Sequence, residues 1–203
     1  MPEFPTIERE QVNAEFKYFD DDLQFTNIPS ITPAGVGSCI LMALNDIPQG
    51  TGVSAREGAV VRIKSMQHSC TIDNTLTGSI PCRVRMIFFL HLRPVVAITG
   101  SSAPSSLLDL GSIDPINAFR NLDQRSEYVI IRDRTYRLDV TAPQQFVEMS
   151  MFKRFNFHTQ WTGNDTTGVN FRKNALYCMV FCDNLTGVPP RIRCTTRIRY
   201  IDN

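Results

Sequence analysis

Alternation of apolar and polar residues along short segments most constrains what this chain can fold into. Apolar residues recur at every second position or in brief runs, and turn-forming residues separate them. No segment longer than about ten residues has a helical period. The 13 Phe and 12 Pro fit strands joined by turns, and 203 residues suit one β domain. We therefore expect an all-β protein.

The alternation predicts eight strands, enough for two packed four-stranded sheets. They run over Val36 to Leu44, Ala59 to Asp73, Arg83 to Leu92, Glu127 to Arg132, Thr135 to Thr141, Phe146 to Phe157, Ala175 to Cys182 and Ile192 to Ile201. A tight hairpin is predicted at Asp133, where a polar segment separates two β-prone runs. Residues 105–122 lack alternation and predict a short helical insertion.

The first 30 residues are predicted to form an acidic, partly extended arm, and residues 31–203 a single domain. An extended segment from Glu15 to Phe25 lies on a sheet edge, on a neighbouring subunit, or on neither. Residues 1–22 carry seven carboxylates against two cations, whereas the last fourteen residues carry four arginines against one carboxylate. Ends of opposite charge can pair between subunits. Neither a signal peptide nor a membrane span is expected.

Arginines at alternate positions give several predicted strands one cationic face and one apolar face. The strongest case is the segment from Pro190 to Tyr200, with arginines at odd positions and Ile, Cys, Thr or Tyr at even ones. The cations concerned are Arg191, Arg193, Arg197 and Arg199, with Arg83 and Arg85 in a second strand and Arg62 and Lys64 in a third.

Enzyme sites are not expected. The three histidines, His68, His91 and His158, lack the pairing of a metal-dependent cupin, and the sequence has neither a Gly-x-Ser-x-Gly elbow nor a Walker motif. No catalytic residue, metal site or cofactor is predicted. Asp20, Asp21 and Asp22 could hold Ca²⁺, but a solvated acidic turn is favoured.

The six cysteines lack the spacing of common zinc or redox pairs, so structural thiols are favoured. The minor alternative is a disulfide between Cys182 and Cys194, if the last two strands form a hairpin. Trp161 is predicted to pack a loop onto its strand, or else to act as a ligand platform.

Two segments carry a family resemblance. IPQGTGVSAREGAVVRIKS, from Ile47 to Ser65, is a Gly-rich loop running into an alternating strand, and its glycines predict irregular backbone angles. Leu107 to Leu138 combines a helical insertion, an RNLDQR segment and a paired strand with an acidic turn. Together they span about a quarter of the chain. They resemble the single jelly-roll capsid proteins of small circular single-stranded DNA viruses, and the related coat proteins of plant satellite necrosis viruses.

The resemblance implies an eight-stranded single jelly roll with Greek-key connections. It also implies a virion protein without enzymatic activity. Many copies would assemble inside the host cell, in nucleus or cytoplasm, into a small icosahedral capsid around single-stranded DNA. RNA stays open because the satellite viruses share the architecture. No cofactor or membrane partner is implied, and the host receptor is not readable.

In a jelly roll with these predicted strands, the third and the eighth are neighbours in one sheet. Their arginines would then form one patch with affinity for phosphate. The expected nucleic-acid-binding residues are Arg83, Arg85, Arg191, Arg193, Arg197, Arg199, Arg62 and Lys64. The alternative is a solvated sheet face, or salt bridges to acidic residues of neighbouring subunits.

The chain departs from the resemblance at its beginning, where an acidic MPEF segment stands in place of a basic arm. Genome contacts would then rest on arginines of the folded domain or on another protein, unless the arm has been trimmed. Two other functions stay open. One is a cellular jelly-roll binding module, of carbohydrate-binding or cytokine-like type, using loops around Trp161 and Ser101. The weaker one is a cupin-type enzyme.

Overall fold

The computed structural model describes residues 16–32, 37–94, 98–111, 114–141, 145–162 and 170–202, which are almost entirely β-strand and connections. In chain order the elements are β1 (Phe16–Asn27), β2 (Ile40–Ala43), β3 (Val60–Asp73), β4 (Cys82–His91), α1 (Ala103–Leu107), β5 (Tyr128–Leu138), β6 (Phe146–Trp161), β7 (Phe171–Lys173), β8 (Ala175–Cys182) and β9 (Arg191–Asp202).

The strands form two packed antiparallel sheets. One has five strands in the order β1-β9-β3-β6-β7, and the other has four in the order β2-β8-β4-β5. Apart from the three-residue β7, this is the strand order of an eight-stranded jelly roll with two Greek keys. The predicted fold class is therefore confirmed, with one short extra strand.

The core lies between the sheets, and the burial of each strand follows its sequence pattern. All eight residues of β8 are buried, as expected for an apolar strand at the centre of a sheet. In β3 and β9, by contrast, buried and more accessible residues alternate. The inner faces of both sheets contribute to one continuous apolar cluster. The five-stranded sheet thus keeps a polar outer face.

The predicted hairpin at Asp133 is wrong, because β5 runs without a break from Tyr128 to Leu138. Asp133 stays in the strand since both its carboxylate oxygens accept hydrogen bonds from Arg85, at 3.0 and 2.9 Å. The irregularity that the polar segment signals is a register shift in the β4–β5 pairing between Phe88 and Phe89.

The extended segment near the N-terminus forms β1, the edge strand that pairs with β9. Its pairing shifts register between Leu23 and Thr26. The prediction treated β1 as an arm outside the jelly roll and divided β5 into two strands. The predicted strands before β5 were therefore assigned one place too early in the jelly-roll order. As a result, β3 is the strand beside β9, and β4 lies in the other sheet. The predicted adjacency of Arg83 to Leu92 with Ile192 to Ile201 is wrong.

The loop between β2 and β3 folds around a buried arginine. The Arg56 guanidinium donates to the backbone oxygens of Ile47 and Gly58, at 3.1 and 2.6 Å, and lies over the Trp161 ring. Neither Gly50 nor Gly52 has a positive φ. Gly50 and Gly52 therefore do not use the left-handed conformation that glycine permits. The loop is irregular up to the start of β3, as predicted, and Arg56 organises it.

Only the beginning of the predicted helical insertion, residues 105–122, is helical: α1 begins at Ala103 and ends at Leu107, with Pro104 in its first turn, and the described residues from 108 to 122 form turns and irregular backbone. A proline is accommodated there because the first amides of a helix have no intrahelical acceptor. Within the described residues no helix is long and apolar enough to cross a bilayer.

Candidate nucleic-acid interface

The outer face of the five-stranded sheet gathers most of the predicted basic residues. In β9, Ile192, Cys194, Ile198 and Tyr200 are buried, whereas Arg193 and Arg197 are exposed and Arg191 and Arg199 are half-buried. The predicted two-faced strand is thus confirmed. We call this surface the arginine face; it comprises Phe16, Tyr18 and Phe25 of β1, Arg62 and Lys64 of β3, Phe152 and Arg154 of β6, and the four arginines of β9.

Aromatic rings of β1 support the guanidinium groups of β9. The Arg199 guanidinium carbon lies 3.6 Å from the centre of the Phe16 ring. Those of Arg191 and Arg193 lie 5.0 and 5.1 Å from the Phe25 ring, and that of Arg197 lies 5.9 Å from Tyr18. An arginine over a ring keeps its N–H groups free at the rim while its flat side is covered. The rings therefore orient these cations without neutralising them.

Two of the four arginines are also paired with carboxylates. Arg197 Nε and Nη2 donate to the two oxygens of Asp20 at 2.7 and 2.6 Å, and Arg191 Nη2 donates to Asp73 at 2.6 Å. The hydrogen bond from Arg197 lowers the pKa of Asp20, so that carboxylate stays charged. No described carboxylate lies within ion-pair distance of Arg193 or Arg199. These two are the free cations of β9.

The acidic N-terminal residues thus meet the basic C-terminal strand within one chain. Asp20 and Asp22 point to the outer face, and Asp21 lies between them on the opposite side of β1. The three carboxylates lie in a strand, so the favoured acidic turn is wrong. Because strand alternation separates neighbouring side chains, they do not converge as a calcium site requires.

The arginine face continues onto β3 and β6. Arg62 Nε donates to Asn156 Oδ1 at 2.7 Å, which fixes its guanidinium over the β3–β6 pair. Lys64 is half-buried at a register shift in β3, between Ile63 and Ser65. On β6, the exposed Phe152 ring is accessible over 62% of its surface, and Arg154 beside it is exposed. An uncovered ring thus lies on the outer face opposite Gln67, near the middle of β3, with Arg154 two residues further along β6.

A groove of about 570 Å³ crosses the middle of the arginine face. Its floor carries small hydroxyl side chains, those of Ser69, Thr71, Ser150 and Thr195. Arg193 lines one part of the groove, and Arg197 lines the adjoining depression with Gln67. Asp22 and Glu148 also line it, so phosphate is favoured near the arginines rather than along the whole length.

Arg83 and Arg85 do not belong to the arginine face, which corrects the single predicted patch. Both lie on β4, in the four-stranded sheet. Arg83 donates to Asp183 and to Asp114, each at 2.7 Å. Arg85 is buried and, besides binding Asp133, donates to the backbone oxygens of residues 115, 116 and 118. With their donors taken by the protein, these two arginines have a structural role.

The other candidate residues also have structural surroundings. Trp161 is buried against Phe171 and Arg56, which fits its packing role rather than a ligand platform. Cys182 and Cys194 are free thiols on strands of different sheets, so the hairpin that would have joined them is absent.

The arginine face can bind a polyanion with little dependence on base sequence. Free guanidinium N–H groups suit phosphate oxygens, hydroxyl side chains add neutral donors, and an exposed ring can stack on a base. Sequence reasoning found the cations but missed Phe16, Tyr18, Phe25 and Phe152. Phe16, Tyr18 and Asp20 of β1 pair with odd-numbered residues of β9, the positions of its arginines. The alternation within β1 was therefore the signal that could have placed these side chains on the same face. Comparison with models of protein families and with curated proteins finds no match to this chain.

Proposed function

We propose that this protein is the structural subunit of a small virus capsid, which assembles from many copies of itself around single-stranded DNA. The observation that carries the proposal is the arginine face, a cationic and aromatic surface on one sheet of a jelly roll. A subunit needs to hold a genome of any sequence, and phosphate contacts with base stacking do this. In this proposal the arginine face lines the particle interior.

Exposed apolar side chains on the connections support self-association. Phe119 and Leu122, between β4 and β5, are accessible over 77% and 69% of their surfaces, and Val53 and Leu185 lie exposed in two further loops. Large apolar groups in water favour contact with another apolar surface. Repetition of such a contact by symmetry closes a shell even where each contact is weak.

Size-exclusion chromatography followed by negative-stain electron microscopy tests the assembly directly. We expect closed particles of uniform size at moderate ionic strength, and ultraviolet absorbance that reveals co-purified nucleic acid. Nuclease digestion of that nucleic acid distinguishes DNA from RNA. A protein that stays monomeric or trimeric across salt and pH, with no nucleic acid, would instead favour the cellular binding module.

A further inference from the structure

A cluster of nitrogen and sulfur donors lies inside the sandwich, on the side of the five-stranded sheet opposite the arginine face. Cys70 of β3 stands directly beside Cys194 of β9, and His68 stands beside Thr196 in the neighbouring pair. The three donor residues are buried, with accessible fractions of 0% for His68, 5% for Cys70 and 2% for Cys194. One ligand atom from each lies within 4.8 Å of the others.

The histidine has one satisfied and one unsatisfied ring nitrogen. Nδ1 lies 2.8 Å from the Thr196 hydroxyl, which holds the ring in place, and Phe88 packs edge-on against it. Nε2 is buried and has no hydrogen-bond partner in the described part of the chain. A buried polar atom without a partner costs stability, so a ligand for this nitrogen would remove a penalty.

The two cysteines are buried free thiols on adjacent strands. Thiolates are the metal-binding form of cysteine, so a metal ion bound at this cluster would take the place of the two thiol protons.

We propose that His68, Cys70 and Cys194 bind one zinc ion in the core of the sandwich. Two thiolates and a neutral imidazole give a neutral complex with Zn²⁺, which avoids an unpaired charge in an apolar interior. Zn–S and Zn–N bonds of about 2.3 and 2.0 Å place the ligand atoms of a tetrahedral site about 3.5 to 3.8 Å apart. The three ligand atoms lie within 4.8 Å of one another, so side-chain rotations would have to bring them to that spacing, and a water molecule would take the fourth position. The ion would join β3 to β9.

Metal analysis of the full-length protein, purified under reducing conditions from zinc-supplemented medium, tests the site. We expect a single zinc ion per chain in the wild type, and loss of that zinc in Cys70→Ala and Cys194→Ala. The matched control is Cys39→Ala, which removes a buried thiol outside the cluster and should retain the metal. Cobalt in place of zinc should give the absorption bands of a tetrahedral thiolate complex. Those bands should disappear in Cys70→Ala.

A wild-type measurement covers the case in which the cysteine variants fail to fold. Stepwise mercurial titration of the folded protein should release zinc in proportion to the modification of Cys70 and Cys194, located by mass spectrometry. Absence of stoichiometric zinc from the folded wild type would overturn the proposal. So would equal zinc in Cys39→Ala and Cys194→Ala. Neither result depends on capsid assembly, so the two proposals fail separately.

Discussion

At the scale of single residues, Arg193 and Arg199 differ from the other cations of β9 in the groups that their guanidinium groups contact. Arg191 and Arg197 have carboxylate partners, whereas Arg193 and Arg199 rest on phenylalanine rings. A ring supports a guanidinium but leaves its charge uncompensated. These two residues therefore have the most to gain from a phosphate.

We expect the double substitution Arg193→Gln and Arg199→Gln to weaken binding of single-stranded DNA. Each lost phosphate contact should reduce the slope of log affinity against log salt by about 0.7, so the pair by about 1.4. Fluorescence anisotropy with a labelled oligonucleotide over a salt series measures the slope. Arg134→Gln with Arg137→Gln is the control, since it removes equal charge from exposed positions of β5. Equal losses in both variants would show that net charge, rather than the arginine face, governs binding.

A buried histidine links stability to pH. Burial lowers the pKa of His91, and Glu127, with its carboxylate 4.0 Å away, opposes the shift. The unfolded state thus takes up a proton at a higher pH than the folded state does. Stability should be full above about pH 6.5 and fall as the pH drops toward the lowered folded value. Urea denaturation from about pH 7.5 to about pH 5 measures this.

Two variants test the assignment to His91. His91→Gln should flatten the fall in stability with decreasing pH, because no imidazole remains to be protonated. Glu127→Gln should steepen the fall, because the group that raises the pKa is lost. A profile that is the same in the wild type and in His91→Gln would assign the pH dependence to other groups.

At the scale of elements, the accuracy of the sequence prediction depended on whether a residue's neighbours lie nearby in the chain. Alternation predicted β3, β4, β6, β8 and β9, because burial of one strand face produces a pattern of apolar residues within the strand's own sequence. It could not find the continuity of β5, because Asp133 stays in the strand through Arg85, which lies 48 positions away. The same limit hid the aromatic support of the arginines and the cluster of His68, Cys70 and Cys194.

The Arg85–Asp133 pair should therefore be essential to β5. Arg85→Leu removes both hydrogen bonds to the Asp133 carboxylate, leaving it only Arg120 at 4.0 Å, and takes the donor from three backbone oxygens. We expect a loss of about 3 to 5 kcal/mol in the free energy of unfolding, measured by denaturant titration. Arg137→Leu, an exposed substitution on β5, should change it by no more than about 0.5 kcal/mol. A small effect of Arg85→Leu would mean that packing alone keeps β5 straight.

At the scale of the whole molecule, nucleic-acid binding and self-association are proposed to use different surfaces. The arginine face covers one sheet, whereas Phe119 and Leu122 protrude from the connection between β4 and β5. Variants can thus disable one property and keep the other. This separation makes a two-part test of the capsid proposal possible.

We expect Phe119→Ser with Leu122→Ser to abolish or greatly reduce particle formation while the subunit remains folded. The reason is the loss of apolar contact area that the loop offers to a neighbouring copy. Light scattering and electron microscopy report assembly, and circular dichroism reports folding. Phe146→Ser is the control, because it removes a similarly exposed ring, accessible over 53% of its surface, from the outer face of the five-stranded sheet. Normal particles from the Phe119 and Leu122 variant would place the subunit contacts elsewhere.

The edge strand β1 has a consequence for solubility. Within the described residues it pairs with β9 on one side only, so its other side presents unpaired amides and carbonyls, the usual starting point for fibrous aggregation. Consecutive aspartates at residues 20–22 and the register shift after Leu23 make that side charged and irregular. A second copy that docked there with residues 20–22 of the two chains opposite each other would bring like charges together, which is destabilising. The charges and the register shift thereby disfavour edge-to-edge aggregation of the protein through β1.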